Sequence, residues 1–329
     1  MPPCPDLLSD VLRKLRLRGT AYLDLECSGD FVTEAPASPG IMPGADHLMD
    51  YHAVLRGQCW CSIPDGTWLL LEAGDVIIFP HGHAHVLASQ AGQQPVRDTC
   101  SCALPPGATL PHPARLQGTR MDCAAQEQGQ AQGASRVLCG FLGCDAQPFN
   151  PLLAALPDVL HVRGRASGNW MACFLVQAID AARARQPGAP AVLERMSELM
   201  FLDALCRHAA SDDGGSGGWL AALRDRQVGR ALALIHEDPS HSWTGEELGA
   251  RVGLSRSVLY ERFGQIVGQT PAQYLISWRM QLAAGMLRSS TATVAAIAFE
   301  VGYESEASFS RAFRRVVGEA PAAWRRSCH

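Results

Sequence analysis

The sequence predicts an α+β multidomain protein, in which an N-terminal β-barrel with packing helices precedes an all-α C-terminal domain. Three observations predict this fold: short apolar runs punctuated by glycine and proline, a glycine-rich stretch in mid-chain, and an internal repeat near the end. The chain has 329 residues, which is long enough for two or three domains. We expect domains at residues 1–210 and 219–329, joined by a flexible linker at 211–218.

Short strands are expected over residues 20–140. The stretch "YHAVLRGQCWCSI" alternates and ends at the turn "PDGT", and "WLLLEAGDVIIF" holds two apolar runs. Punctuation of this kind favours a barrel or a sandwich. Residues 118–134 are rich in glutamine and glycine and predict a surface loop, after which a strand resumes at 137–144. Helices are expected at residues 149–161, 168–185 and 190–210.

The helix predicted at 190–210 carries a wide apolar stripe with a period near 3.6 residues. Its members are Val192, Met196, Leu199, Met200, Leu202 and Leu205. This stripe either packs on the barrel or forms a homodimer interface, and the sequence leaves both alternatives open.

The stretch "SDDGGSGG" marks the domain boundary, because it is polar, glycine-rich and without periodicity. Beyond it, 13 Arg and 10 acidic residues give a balance of +3, whereas 15 basic and 22 acidic residues before Trp219 give −7. The basic excess permits a polyanion as partner. There is no apolar run of about 18 residues and no signal-peptide pattern, so we expect no membrane segment and a cytoplasmic protein.

An internal repeat is the most specific feature of the chain. The stretch "ELGARVGLSRSVLYERFGQIVGQTPAQYL" (247–275) matches "AIAFEVGYESEASFSRAFRRVVGEAPAAW" (296–324). Each copy runs helix, glycine turn, serine cap, helix, then Gly-x-x-Pro, which is a helix-turn-helix pattern. The matched turn glycines, capping serines and inward phenylalanines are Gly253 and Gly302, Ser255 and Ser305, and Phe263 and Phe313.

The outward face of each second helix carries side chains that can reach base edges or phosphates. These are Arg256, Ser257, Tyr260 and Glu261 in the first copy, and Glu306, Ala307, Ser308 and Arg311 in the second. A helix predicted at 272–290 would fix the separation of the two copies. Two recognition helices about 34 Å apart enter successive major grooves on one face of double-stranded DNA.

Residues 219–329 resemble the DNA-binding domain of AraC/XylS-type transcriptional regulators, and "IAFEVGYESEASFSRAFRRVVGEAP" matches the signature of that family. The resemblance implies an all-α domain with two helix-turn-helix units. Its base-reading positions map onto Ser257, Tyr260, Glu261, Glu306, Ala307, Ser308 and Arg311. Phosphate contacts are expected from Arg314, Arg315, Arg325 and Arg326.

Three histidines, His81, His83 and His85, lie at alternate positions in "FPHGHAHVL". The stretch "GDVIIFPHGHAH" resembles the second conserved motif of the cupin β-barrel, and "CGFLGCDAQPFNPLLAALPDVLHV" resembles the cupin-type sensor domains of AraC-type regulators. The upstream "GADHLMDYHAVLRG" lacks the His-x-His and the glutamate of the first cupin motif, and Ser89 replaces the final asparagine of the second. We therefore expect the histidines to shape an effector pocket rather than bind a transition metal.

Two Cys-x-Cys pairs lie on predicted strands, and a further cysteine matches the sensor-domain resemblance. These candidates are Cys59, Cys61, Cys100, Cys102 and Cys139. Such thiols can pack as small hydrophobic groups, form a reversible redox-sensing disulfide, or bind a soft metal. The sequence leaves these three alternatives open.

The two resemblances together imply a one-component transcription factor. It would bind double-stranded DNA, sense a small molecule or an oxidant, and activate nearby genes through RNA polymerase. The alternative is a cupin metalloenzyme fused to a DNA-binding tail, but the incomplete first motif counts against it, so we expect no enzyme activity.

Overall fold

The computed structural model describes most of the chain. The described residues are 7–14, 17–35, 42, 45, 47–95, 108–123, 134–144, 149–164, 170–210 and 218–327. They form two compact units, and each unit is built from more than one stretch of the chain. One unit comprises Leu17–Cys144 and Pro157–Asp212, and the other comprises Met1–Arg16, Asp145–Leu156 and Asp213–His329. Compared with the predicted domains, the helical unit also includes Met1–Arg16 and Asp145–Leu156.

The first unit contains a curled, mostly antiparallel sheet that forms a half-barrel. Its strands are β1 (Arg18–Ala35), β2 (His47–Arg56), β3 (Gln58–Ser62), β4 (Trp68–Glu72), β5 (Val76–Phe79), β6 (His85–Ala88), β7 (His112–Gly118), β8 (Arg120–Asp122), β9 (Ser135–Cys144) and β10 (Leu160–Val162). The strand order is β10-β5-β2-β9-β1-β6-β3-β4, with β7 parallel to β1 and antiparallel to β8.

The predicted strands are confirmed, with local differences. The run "YHAVLRGQCWCSI" lies in two strands, β2 and β3, that meet at Gly57, and the "PDGT" turn follows β3. Within the predicted loop 118–134, Arg120–Asp122 forms β8 and residues 124–133 lie outside the described part of the chain. Alternating residues of β1, β2, β5 and β9 face one apolar core. Residues on the other faces, such as Met49, Tyr51 and Ile78, are buried as well.

Two helices accompany the sheet, α3 (Trp170–Arg183) and α4 (Ala189–Ala210), and both confirm predicted helices. A buried carboxylate joins α3 to the strands. Asp24 of β1, whose side chain is 1% exposed, accepts hydrogen bonds from Arg136 of β9 at 2.8 and 2.9 Å and from Arg183 at 2.5 Å. Buried charges are tolerated only when paired in this way, so this cluster fixes the end of α3 against the sheet.

The helix predicted at 149–161 is wrong over its second half. The structure has a short helix at Pro151–Ala155 and then the edge strand at Leu160–Val162, which pairs with β5. The apolar run is too short for periodicity to separate helix from strand, and pairing with a neighbouring strand decides the outcome.

The second unit is helical. Its helices are α1 (Leu7–Lys14), α2 (Pro151–Ala155), α5 (Trp219–Ala222), α6 (Arg226–Glu237), α7 (Gly245–Val252), α8 (Arg256–Val267), α9 (Pro271–Ser289), α10 (Val294–Glu300), α11 (Glu306–Val317) and α12 (Pro321–Ser327). Helices α7–α8 and α10–α11 are the two predicted helix-turn-helix copies, and α9 is the predicted connecting helix. Of the predicted linker, only Gly218 is among the described residues.

The local signals of the repeat are confirmed. The Ser255 hydroxyl accepts from the main-chain N–H of Val258, and the Ser305 hydroxyl accepts from that of Ser308. Both turn glycines adopt positive φ, 75° at Gly253 and 87° at Gly302. The caps and turns therefore start both second helices in the same way, as the matched sequence predicts.

Arg279, near the middle of α9, is 8% exposed. The hydrogen bonds of its guanidinium go to main-chain carbonyl groups. The acceptors are the oxygens of Pro239 at 2.6 Å, Ser240 at 3.0 Å, His241 at 3.0 Å and Gly302 at 3.1 Å. The first three lie in the loop before α7, and the fourth lies in the turn between α10 and α11. One guanidinium therefore ties both helix-turn-helix copies to the connecting helix.

The two turn glycines offer a matched test of this arrangement. A Cβ atom on Gly302 would lie 2.4 Å from the Ser240 oxygen and 2.8 Å from Nη2 of Arg279, whereas a Cβ on Gly253 meets nothing within 4 Å. We expect Gly253→Ala to cost about 1–2 kcal/mol of unfolding free energy, from the positive φ alone. Gly302→Ala should cost about 1–3 kcal/mol more, because the backbone must also move.

Denaturant unfolding followed by circular dichroism measures both variants against the wild type. Equal destabilisation of the two would contradict the close packing of the second turn against Arg279.

Candidate nucleic-acid interface and barrel interior

Helix α8 has one buried face and one exposed face. Leu259 and Phe263 are fully buried, and Phe263 packs edge-on against Tyr274 of α9, with ring centroids 5.9 Å apart. On the opposite face, Ser257 and Glu261 are exposed. Because the inward residues fix the rotation of the helix, the polar face is presented to the outside.

Arg256 is anchored within the first helix-turn-helix copy. Its Nη1 lies 2.8 Å from a carboxylate oxygen of Glu246 on α7, and its guanidinium lies 5.5 Å from the ring centroid of Tyr260. Both partners of this ion pair are well exposed, so the pair adds little stability. It does hold the arginine beside Tyr260 at the start of the recognition helix.

Val258 is a surface residue that the sequence reasoning missed. It is 44% exposed on α8, next to Ser257. Helical spacing places it about 60° from the centre of the outward face, close to Glu261. An exposed apolar side chain at this place can contact the methyl group of thymine in a major groove. The repeat aligns Val258 with Ser308 of α11, and this alignment could have identified Val258 from the sequence.

Helix α11 repeats this arrangement with a different charge. Phe309 and Phe313 are fully buried and pack with ring centroids 5.5 Å apart. The predicted contact residues on the other side are exposed or partly exposed: Glu306, Ala307, Ser308, Arg311, Arg314 and Arg315. The outward face of α11 is thus strongly basic, whereas that of α8 is not.

The two arginines of α12 differ from each other. Arg325 donates to the main-chain oxygens of Leu287 at 3.2 Å and Ala292 at 2.6 Å, so it holds the end of α9. Arg326 is exposed. Of this predicted pair of phosphate contacts, Arg325 is thus already engaged within the protein.

In the first unit, the histidine cluster divides. His85 is 2% exposed, and its ring stacks on Phe79 at 3.7 Å between centroids. His81 and His83 are only partly buried, with ring centroids 5.8 Å apart, and His83 Nδ1 lies 3.9 Å from Asp158. The bend at Gly82 turns the first two histidines away from the interior that holds the third.

The interior partner of His85 is His52 of β2, which the sequence reasoning did not select. Their Nε2 atoms are 2.6 Å apart, and His85 Nδ1 lies 2.8 Å from the main-chain oxygen of His83. A carbonyl only accepts, so His85 Nδ1 carries the proton and its Nε2 accepts from His52 Nε2. Nδ1 of His52 is then a buried acceptor without a hydrogen-bond partner in the structure.

Burial governs the titration of this interior. It lowers the pKa of His85 to about 4, against a smaller opposing effect of the hydrogen bond to His83, and it lowers the pKa of His52, with the charge of His85 adding to the effect. Asp50 lies two residues from His52 on the same face of β2, and burial raises its pKa to about 7. At neutral pH the interior therefore holds two neutral imidazoles and a half-protonated carboxyl group.

The described residues do not fit a cupin metal centre. No group of three or more His, Cys, Asp or Glu side chains among them is placed to hold a metal ion. The Nε2 atoms of His52 and His85 face each other at hydrogen-bond distance instead of converging on a third point.

The cysteine candidates are mostly buried thiols. Cys59 and Cys61 are fully buried thiols, and the thiol of Cys139 is partly buried. Burial, with the charge of Asp75 adding to it, raises the pKa of Cys59 to about 12, so little thiolate forms at neutral pH. Cys100 and Cys102 lie outside the described residues.

Cys123, in the turn after β8, is disulfide-bonded. The other described cysteines carry thiols: Cys27, Cys59, Cys61, Cys139, Cys144, Cys173 and Cys206. Nothing in the sequence spacing around Cys123 predicts this disulfide.

Comparison with known proteins gives matches along nearly the whole chain. A cupin family model matches residues 6–210, and a helix-turn-helix domain model matches residues 248–327. An AraC-like transcription regulator of Streptomyces antibioticus is 32% identical over 98% of both chains. The HTH-type transcriptional regulator AlkR of Acinetobacter baylyi is 28% identical, covering 97% of this chain and 99% of its own. The RCS-specific HTH-type transcriptional activator RclR of Escherichia coli is 26% identical over 84% of each chain.

No helix in the described part of the chain is long and apolar enough to cross a bilayer.

The buried carboxyl group of Asp50 leads to a prediction about pH. In the folded state it keeps its proton up to about pH 7, whereas in the unfolded chain it loses the proton near its ordinary value of 3.8. The unfolding free energy therefore falls as pH rises from about 4 to 7. Asp50→Asn removes this loss, so the variant should gain on the order of 2–4 kcal/mol relative to wild type between pH 4.5 and 7.5.

Urea unfolding at a series of pH values measures the difference. The lowered pKa values of His52 and His85 act in the opposite direction below about pH 6.5, but they are present in both proteins and cancel. Asp30→Asn, at an exposed position, is the control for replacing a surface carboxylate. Parallel pH profiles of Asp50→Asn and wild type would show that Asp50 ionises freely in the folded protein.

Proposed function

Because the chain belongs to the AraC-type family of DNA-binding transcription regulators with a cupin-like N-terminal domain, we propose that it is a one-component switch. A signal received in the half-barrel changes how the two helix-turn-helix units engage double-stranded DNA. The observation that carries this proposal is the pair of recognition helices, α8 and α11. Each is capped by a serine, closed by a left-handed glycine and packed on buried phenylalanine, with polar side chains outside.

The two recognition helices differ in charge and therefore in their proposed roles. Where α11 carries Arg311, Arg314 and Arg315, the matching positions of α8 carry Glu261, Gly264 and Gln265. Helix α11 therefore supplies most of the attraction to phosphate, since arginines neutralise the DNA backbone. Helix α8 contributes selectivity, because Glu261 can accept from cytosine N4 and Val258 can contact a thymine methyl group.

The proposed output is activation of nearby genes through contact with RNA polymerase. One relative is named a transcriptional activator, which supports activation over repression. The cytoplasmic location expected from the sequence fits this role. The relatives are regulators along nearly their full lengths, which favours a regulator over a cupin metalloenzyme with a DNA-binding tail.

Two classes of signal have support. The interior group of His52, His85 and Asp50 favours a small molecule, because the buried Nδ1 of His52 offers an acceptor to a donor on a ligand. The disulfide at Cys123 favours an oxidant, since a disulfide can be reduced and formed again. The high pKa of Cys59 makes a direct thiolate reaction at that position the weaker redox route.

A homodimer is the proposed assembly. On α4, Val192 and Leu199 are 50% and 51% exposed and lie seven residues apart, so they share one face of the helix. Phe174 of α3 is 57% exposed. The inward half of the predicted stripe, including Met196, Met200 and Leu205, is buried, which leaves a second apolar face available for a partner copy.

Replacement of Leu199 tests this assembly. Leu199→Glu should shift the full chain towards monomer, raising the dimer dissociation constant by about tenfold or more, because a charge must be desolvated at the apolar face. Sedimentation velocity over a concentration series measures the shift. Glu194→Lys, on another face of α4, is the control. A wild-type chain that sediments as a monomer at all concentrations contradicts the proposed dimer.

Arginine substitutions on α11 test DNA recognition in the full chain. The operator is first selected from random DNA with the wild-type protein. Arg311→Ala should weaken operator binding by about 1–3 kcal/mol and relax the preference at one base pair, because Arg311 faces the groove. Arg314→Ala and Arg315→Ala should weaken binding to all sequences alike and lower the slope of log affinity against log salt by about one each.

Arg120→Ala, at an exposed arginine of β8, removes the same charge and should leave binding unchanged. Operator affinity that is the same in Arg311→Ala and wild type would remove Arg311 from the reading face. A failure of wild type to select any sequence would contradict the proposed function itself.

A further inference from the structure

A short segment at residues 149–156 belongs to the DNA-reading unit although it lies between two strands of the half-barrel. It follows β9, which ends at Cys144, and precedes β10, which begins at Leu160. The compact helical unit nevertheless includes Asp145–Leu156. We call residues 149–156 the clasp.

The clasp contacts α9 through Phe149. Its main-chain N–H donates to Oε1 of Gln281 at 2.9 Å, and its ring lies edge-on to Tyr274, with centroids 5.7 Å apart. Both partners are residues of the helix that connects the two helix-turn-helix copies. A polar and an aromatic contact together fix the position of Phe149 against α9.

The rest of the clasp is a short, mostly buried helical segment. The Asn150 side chain is 8% exposed and accepts from the N–H groups of Leu152 and Leu153 at 3.1 and 3.2 Å, which starts α2. Leu152 and Leu156 are buried, and α2 packs on α5. The apolar side chains that hold the clasp are therefore shielded from water, and this burial stabilises the contact.

From Phe149 the contacts continue to the first recognition helix. Tyr274 is fully buried, its hydroxyl lies 2.7 Å from Nε2 of His236, and its ring packs on Phe263. Phe263 is an inward residue of α8. Phe149 and Phe263 thus both contact one buried tyrosine, so a shift of the clasp changes the support of α8.

The other end of the clasp is tied to the half-barrel. The edge strand β10 pairs with β5, and Asp75 accepts from the N–H of Gly164 at 2.7 Å and contacts His161 at 3.1 Å. Strand β5 ends at Phe79, on which His85 stacks. The clasp therefore lies between two strands of the half-barrel along the chain, after β9 and before β10.

We infer that residues 149–156 are a functional part of the DNA-reading unit, and that through Phe149 and Tyr274 they hold recognition helix α8 in its binding position. The clasp therefore covers the surface formed by α5 and α9 of the same chain. This inference rests on the proposed function for its effect on DNA affinity, but the support of α8 is measurable without DNA.

Two substitutions in the full chain test it. Phe149→Ala should speed amide hydrogen exchange in α8 by about fivefold or more while leaving β1 and β9 unchanged. It should also weaken operator binding by about five- to tenfold, with the salt dependence unchanged because the arginines of α11 remain. Gln281→Met, which removes the acceptor but keeps the chain length, should act in the same direction with a smaller effect.

Ala154→Ser, on the exposed side of α2, is the matched control. If Phe149→Ala loses its fold by circular dichroism, the Gln281→Met exchange pattern decides. Faster exchange confined to α5, or wild-type exchange in α8 in both variants, would overturn the inference. Faster exchange in α8 in a protein that selects no DNA sequence would support the clasp and contradict the proposed function.

Discussion

The buried guanidinium of Arg279 is the interaction on which the geometry of the DNA-reading half depends. It bonds to carbonyl groups before the first helix-turn-helix copy and in the turn of the second. Burial lowers the pKa of Arg279, but an arginine keeps its charge in proteins, so these bonds remain charge-assisted. Two recognition helices can act on one DNA site only if their relation is fixed, and α9 with this side chain supplies the fixed element.

The half-barrel works under a different constraint. Its interior holds polar groups that burial keeps largely uncharged, since His52 and His85 are neutral and Asp50 titrates near pH 7. Rearranging a neutral polar interior costs less free energy than separating a buried ion pair such as Asp24 with Arg136. The ion pair therefore suits the rigid attachment of α3, and the neutral cluster suits a site that a signal alters.

The parts of the fold that follow from local chemistry could be predicted from the sequence. Serine caps, turn glycines and inward phenylalanines recur with a fixed spacing in α7–α8 and α10–α11, and each acts within a few residues of its own position. The half-barrel strands followed from alternation in the same way. The AraC-type signature lies in these local features, which is why family and fold were accessible.

Features that depend on distant residues could not be predicted. His52 and His85 are 33 residues apart and meet only because the sheet folds over, so the sequence reasoning grouped His85 with its neighbours His81 and His83. The clasp was expected to be part of a longer helix, because nothing local shows that Leu160 finds a strand partner in β5. Arg279 looks like any helical arginine until its four carbonyl acceptors are in place.

The central claim is that α8 and α11 enter adjacent major grooves of one DNA site, held by α9. Guanine methylation interference with the full chain on its selected operator tests it most directly. We expect two groups of interfering guanines about 10 base pairs apart on one face of the duplex. Arg311→Ala should weaken the interference only in the group contacted by α11, which is the group farther from α8. A single group of interfering guanines, or two groups on opposite faces, would contradict the account.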